Sequence, residues 1–543
     1  MRFEALSPFA RELAGESMAW MDSFWDEEAG LLAIGTDMAT AKRDVRNTAR
    51  YAIGLFLRNA AGDNDRACKA LDAVLHQQYD EPGSALHGAF RSRAGQPHPG
   101  PDATIFQFDP NHRQFLGTLF AVLLDKYEED LPADLVGRMD LAILRMVEGE
   151  PPDRCLPVYS NIALMHAGLL TWAGDRYARP DWVLQGEALG TEIHRLFVDQ
   201  DTFEEYNSPT YYGTDLFALA FWRCHARSGL LARLGAEIES AVWHDLARYY
   251  HAGLKNMCGP YSRSYGMDTK AYCALLGMCV WLGVGRKDAP FPPAVRGYFD
   301  HCHDFCWGPC LAILDTRVPR ELLSQFTDFS RERFIEKRIS VKPDRVATAW
   351  MSHTIMIGAE ATALDAGEKT YYRLREDFPE FNPVSHHWRD PVVAAQRCAL
   401  LSRDFCPATI HWQLPNGKTG WMRLQHLGAI HARASRCRLD IAGHLEPRLA
   451  ARYGEAHTSF VFLINTPGDT VSIEPDSWCL PGLTLRVAGN LGCPVVKADG
   501  DRVAVTYMPE SAWPEIHFEI YPEAAAERMS GEGPEGPACW PVI

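Results

Sequence analysis

The chain has 543 residues, enough for two or three units that each bury a core. A hydrophobic content of 47% and a charged content of 23% describe an ordinary globular protein in water. A formal charge of −16 argues against a nucleic-acid partner, which would call for a basic stripe. Met1 to Trp20 carries five charged residues and no continuous apolar run, so neither a secretory leader nor a membrane anchor is expected there. Fifteen cysteines without a leader read as reduced thiols of a cytoplasmic protein.

Residues 1 to about 315 carry helical spacing. In Asp44 to Asn59, Val45, Ala49, Ala52 and Phe56 recur three or four positions apart. Further helices are predicted at Asn64 to Gln77, Gln114 to Lys126, Ala133 to Val147, Asn161 to Ala173 and Val183 to Phe197. The series continues at Tyr211 to Ser228, Ile238 to His251 and Thr269 to Leu282. Many helices with no strand signal between them and no fixed-period repeat suggest antiparallel pairs closed into an α/α toroid. From residue 316 to 522 the period becomes alternating, with short runs such as Arg345 to Trp350, His353 to Ala359, Ala408 to Gln413, Gly420 to Gln425 and Ala429 to Ile441. Others lie at Ser459 to Asn465, Leu483 to Val487, Val503 to Tyr507 and Glu515 to Ile520. Turn pairs such as Asn416-Gly417 separate several of them, which predicts an antiparallel β-sandwich. Residues 523–543 form an acidic, Gly/Pro-rich tail.

The stretch from Asp201 to Asp215 gathers Tyr206, Tyr211, Tyr212, Asn207 and four carboxylates around Pro209, just before the apolar run Leu216 to Trp222. Polar groups at the mouth of a buried helix must find partners or face a cavity. With Ser208 as cap and Pro209 as first helical residue, Tyr211 falls in the first turn, where the helix dipole eases a tyrosinate. A second polar-aromatic cluster, Pro260 to Asp268, contains Arg263, Tyr265 and Asp268. Arg263 is either a cation beside the phenol or a structural partner of Asp268. A third, Phe106 to Arg113, offers Asp109, His112 as a base and Arg113 as a carboxylate ligand, or is a capped helix start with solvated charges.

A helical toroid followed by a β-sandwich resembles the heparinase II/III-like and alginate-lyase-like polysaccharide lyases. The segment Glu205-Tyr206-Asn207-Ser208-Pro209-Thr210-Tyr211 is similar to the family's Asn-Ser-Pro-x-Tyr stretch, whose tyrosine is catalytic. Tyr159-Ser160-Asn161 looks like the family segment that opens a helix and supplies the asparagine facing the substrate carboxylate, although Ile162 follows where the family often has histidine. Phe24 to Leu31 resembles an early turn of toroid carbohydrate enzymes. His353, 142 residues after Tyr211, resembles the histidine that the family's β-domain offers to the cleft.

This resemblance implies a lyase acting on a uronic-acid oligosaccharide by β-elimination. Asn161 would neutralise the carboxylate, Tyr211 would move the proton, Arg263 would support it and His353 would be the base. Glu205, Tyr206, Asn207, Tyr212, Tyr265, Asp268, Asp109, His112 and Arg113 would line the substrate. An inverting glycoside hydrolase is the alternative, with Glu204 or Glu205 opposite Asp268, Asp215 or Asp109. A non-catalytic sugar-binding protein, whose aromatic rings only stack, is the third reading. No cofactor is expected. His301-Cys302-His303 with Cys306 and Cys310, and His386-His387 with Asp390, are the two stretches that could hold a structural metal. The expected partners are a carbohydrate and, at most, a second copy of the chain.

Overall fold

The computed structural model describes residues 2–37, 39–100, 103, 107–152, 154–341, 344–362, 406–425, 429–444, 459–466, 470–511 and 513–522. Twelve α-helices occur among them. They are α1 (Pro8–Asp22), α2 (Val45–Arg58), α3 (Asp63–Leu75), α4 (His112–Tyr127), α5 (Ala133–Glu148) and α6 (Ser160–Arg176), then α7 (Pro180–Gln200), α8 (Tyr212–His225), α9 (Gly229–Tyr249), α10 (Leu275–Val284), α11 (Gly308–Leu314) and α12 (Leu323–Thr327). Their starts follow the chemistry of orphan amides. Ser7 caps α1 ahead of Pro8, Asp44 caps α2 through Asn47 N–H, and Ser228 caps α9.

Burial separates two kinds of helix. Nearly every residue of α2, α4, α8 and α10, and most of α6, is buried, so these helices have no solvent face to mark with polar residues. Helices α3, α5, α7 and α9 bury one stripe only. Each buried helix packs on its successor, α2 on α4, α4 on α6, α6 on α8 and α8 on α10, while α1 bridges α10 back to α2. The outer helices pair with them in sequence, α3 with α2, α5 with α4, α7 with α6 and α9 with α8. The result is an α/α toroid, as expected. Gly213 permits the closest approach between α8 and α10, because a Cβ there would lie 2.6 Å from the Cβ of Leu275.

The expectation of no strands in this half requires correction. Trp25–Asp26, Leu31–Ile34 and Lys42–Asp44 form a three-stranded sheet, and Tyr250–His251 pairs with Asn256–Met257. These strands are too short to develop an alternating signature. Two helices also differ from prediction. Helix α9 starts nine residues early because Ser228 caps it, and α10 starts six residues late because residues 258–274 are drawn into loops.

Beyond α12 the first strand, Arg333–Val341, opens an antiparallel sheet of fourteen strands. One half runs from Val495–Asp499 through Arg502–Tyr507, Phe460–Asn465, Thr419–Gln425, Ala408–Gln413, Ile355–Thr362 and Asp344–Met351 to Arg333–Val341. The other runs from Ser472–Ile473 through Ser477–Leu480, Leu483–Gly489, Glu515–Pro522 and Arg438–His444 to Ala429–Ser435. The sheet folds over so that its two halves meet. Phe462 of one half lies 5.5 Å from Trp478 and 5.3 Å from Phe518 of the other, ring centre to ring centre. The predicted strand Ala429 to Ile441 is two strands, with Cys437 at φ 52° in the turn between them.

Sandwich and toroid meet along the segment after α9. Tyr261 and Cys406 exchange both backbone hydrogen bonds, and a Cβ on Gly358 would fall 1.9 Å from the carbonyl oxygen of Gly259. Buried ions cross the same boundary: Arg345 pairs with Glu360 at 2.7 Å and with Glu204 at 3.3 Å.

Candidate active site

The Asp201–Asp215 and Pro260–Asp268 stretches lie side by side, zipped by short polar residues. Asn207, in the left-handed region at φ 49°, donates its side-chain amide to the carbonyls of Cys258 and Pro260, both at 2.8 Å. Ser262 donates both its N–H and its hydroxyl to the Tyr206 carbonyl at 3.1 and 2.7 Å. The Ser208 hydroxyl donates to the Arg263 carbonyl at 2.7 Å and accepts from Tyr211 N–H at 3.0 Å. Thr210 accepts from Tyr265 N–H at 3.2 Å. Asn207 is therefore spent on the backbone, which corrects its expected role as a substrate ligand. Tyr206 and Tyr212 are likewise buried, with Tyr212 bonded to Thr202 at 2.9 Å, so neither ring reaches a ligand.

This frame brings Glu205, Tyr211, Arg263 and Tyr265 together, and α6 adds Asn161 and Ser160. The Glu205 carboxylate accepts from Asn161, in the first turn of α6, at 2.6 Å and from Arg263 at 3.0 Å. Ser160 adds a hydroxyl at 3.4 Å. The Glu205 and Arg263 side chains are 8% and 6% exposed, so their attraction is little screened. Arg263 does not pair with Asp268, which faces Lys270 at 3.7 Å instead. The Arg263 guanidinium lies 4.2 Å from the centre of the Tyr211 ring, and the Tyr211 hydroxyl bonds that of Tyr265. Tyr265 is 40% exposed and stacks on His301 at 4.9 Å.

Electrostatics correct the expected tyrosinate. Burial pushes the Tyr211 phenol well above its ordinary value, and the opposing pull of Arg263 does not offset it. Helix α8 also begins at Tyr212 rather than at Pro209, which leaves Tyr211 at the cap position. Tyr211 therefore stands protonated at neutral pH. Asp215, the carboxyl beneath, is fully buried and pushed well up by burial and then by Glu205.

Tyr159 and Asn111, which lie in stretches the sequence marked but were given no role there, complete the wall. Tyr159 accepts from the Asn111 amide at 3.0 Å, and Asn111 accepts from Arg154 at 2.6 Å. Arg154 is held in turn by Glu150, which it brings down to about 2 against the upward push of burial. Asn111 lies inside the Phe106 to Arg113 motif, so the motif was visible and its key residue was not. Within that motif Asp109 lies 3.6 Å from His112, whose ring is buried and pushed down by that burial. Arg113 is 1% exposed and donates to the carbonyls of His87 and Ala85, so it does not face a carboxylate ligand in the cleft.

The structure does not bring His353 to this cluster. It is exposed in the turn before Ile355–Thr362, edge-on to Phe329 at 5.5 Å. Glu204 is committed to Arg345 at the sandwich boundary. Cys302, Cys306 and Cys310 are buried thiols, all pushed up by burial, while His303 turns towards Asp44 at 3.7 Å. Among the described residues no three His, Cys, Asp or Glu side chains converge as metal ligands. His386, His387 and Asp390 lie outside the described residues. The thirteen described cysteines are free thiols, and no described helix is long and apolar enough to cross a membrane.

No curated protein matches the sequence. Among solved structures, heparinase III is similar at 8% identity and a TM-score of 0.42, covering 95% of this chain and 85% of that one. A chondroitin AC lyase from Streptomyces coelicolor A3, in complex with chondroitin sulphate, is similar at 11% identity and a TM-score of 0.39, covering 97% and 82%. Residues 11–316, more than half of the sequence and including every residue of the cluster, match the model of a domain of unknown function, DUF8769, and the chain belongs to that family.

Proposed function

We propose that this protein is a carbohydrate-active lyase that cleaves a uronic-acid-containing oligosaccharide or glycoside by β-elimination. One observation carries the reading: the Tyr211 phenol lies against Arg263, which converges with the Asn161 amide on the Glu205 carboxylate. Elimination needs the sugar carboxylate neutralised, a base for the α-proton and an acid for the leaving oxygen. A guanidinium and a carboxamide are both multiple N–H donors, the chemistry that neutralises a carboxylate without adding a competing base. Glu205 takes the α-proton, the carbon–oxygen bond breaks as the double bond forms, and Tyr211 protonates the departing oxygen. Tyr265, half in solvent and bonded to Tyr211, passes a proton from solvent back to the phenolate, and Glu205 gives its proton up to solvent once the product leaves, which restores both groups.

A carboxylate hydrolase is the second reading, favoured by the placement of Asp215 behind Glu205 with its proton held by burial. Product chemistry separates the two. A panel of uronic-acid oligosaccharides and aryl glycosides, read for an ultraviolet-absorbing unsaturated uronate, is the test. New reducing ends without that absorbance would overturn the lyase reading, and no product of either kind would leave a sugar-binding protein.

A further inference from the structure

Helix α2 carries two arginines that form no ion pair with a described carboxylate. Arg46 and Arg50 stand one turn apart on α2, and both face aromatic rings. The Arg46 guanidinium lies 4.5 Å from the centre of Phe115, and that of Arg50 lies 3.7 Å from Trp307. Arg50 is 1% exposed. Its Nη1 bonds Asn47, while its Nε and Nη2 have no partner. Among the described residues half-buried Arg46 makes no hydrogen bond or ion pair, and neither arginine has a carboxylate within 4.0 Å; Asp304 and Asp109 act on them only from farther away. The other deeply buried arginines do have one: Arg113 and Arg154 have Glu150, Arg263 has Glu205, and Arg345 has Glu360. Burial, reinforced by the neighbouring charge of Arg46, pushes Arg50 down to about 9. Two like charges held on an apolar wall of a chain with net charge −16 call for an anion from outside.

Contacts tie this wall to the reaction cluster. Tyr211 bonds Tyr265, Tyr265 stacks on His301, and Asp304 beyond it feels both arginines. On the other side Phe115 lies one turn from Asn111, which bonds Tyr159, whose phenol feels Glu205. Two chains of contact thus run from these arginines to the Tyr211 cluster.

We propose that Arg46 and Arg50 bind an anionic group, a carboxylate or a sulfate ester, on a sugar unit adjacent to the one held at Tyr211. The substrate class is then an oligosaccharide with negative charge on more than one unit. This rests on reading the Tyr211 cluster as the reaction centre, but its test uses binding alone. Wild type, Tyr211→Phe, Arg46→Gln, Arg46→Lys and Arg263→Gln are titrated with sodium glucuronate, its methyl ester and inorganic sulfate at constant ionic strength. The readout is the thermal midpoint and tryptophan fluorescence. Saturable binding of glucuronate or sulfate is expected in wild type and Tyr211→Phe, weakened about 10-fold or more in Arg46→Gln and partly restored in Arg46→Lys. The methyl ester should not distinguish Arg46→Gln from wild type. Binding of sulfate alone identifies a sulfate ester, and of glucuronate alone a carboxylate. Absence of saturable anion binding in wild type, or its loss in Arg263→Gln with Arg46→Gln unaffected, would overturn the site.

Discussion

Replacing Tyr211 by Phe removes one hydroxyl and little else, which makes it the sharpest probe of the proposed chemistry. The ring stays under Arg263 at 4.2 Å, so the cation–π contact persists. The lost bond to Tyr265 is made at a partly exposed hydroxyl and is worth about 1 kcal/mol or less. The variant should therefore fold and bind substrate much as the wild type does. Loss of the proton donor should lower kcat by about 10²–10⁴-fold, or about 2.7–5.4 kcal/mol of barrier, with KM nearly unchanged. Initial rates followed by the absorbance of the unsaturated product, alongside urea unfolding, give both numbers. Tyr212→Phe is the control, because that ring is buried against Thr202 away from the cleft. Near-normal turnover in Tyr211→Phe beside an inactive Glu205→Gln would refute the role given to the phenol.

Arg263→Ala should destabilise the protein by about 3–5 kcal/mol, because the Glu205 carboxylate is left buried with only Asn161 and Ser160 to hold it. Urea unfolding checks this, and a loss under about 1 kcal/mol would show that solvent already screens the pair. His411 is fully buried, donates Nε2–H to the Met267 carbonyl at 2.9 Å, and is pushed by burial from 6.5 down to about 4. The unfolded chain therefore takes up this proton first, and stability should fall between pH 6.5 and pH 4 by up to about 3 kcal/mol from this residue. A His411→Gln variant should flatten that part of the unfolding profile, and an unchanged slope would remove His411 as its source.

How much was legible beforehand depends on how local each feature is. Helical spacing in Ala133 to Val147 and alternation in Phe460–Asn465 record which face of a segment meets the core, and both elements form where that spacing placed them. The crowding of tyrosines and carboxylates around Pro209 is equally local, so the site region could be marked from sequence, although the helix starts at Tyr212 and not behind a Ser208 cap. Which helix closes the ring, and which strands meet across the sandwich, were not readable from any window, because they depend on segments hundreds of residues apart. The same holds for the ion pairs. Nothing in the sequence tells Arg263 to choose Glu205, 58 residues away, over Asp268, five residues away; the zipped loops make that choice. Local reasoning gave Tyr211 a helix end and a nearby cation, and so a lowered pKa. The tertiary structure also gave it a dry surrounding, and desolvation outweighs both because it acts on the whole charge of the phenolate. Residue types and their order set which groups could do chemistry, while packing decided which of them meet and in what state of charge.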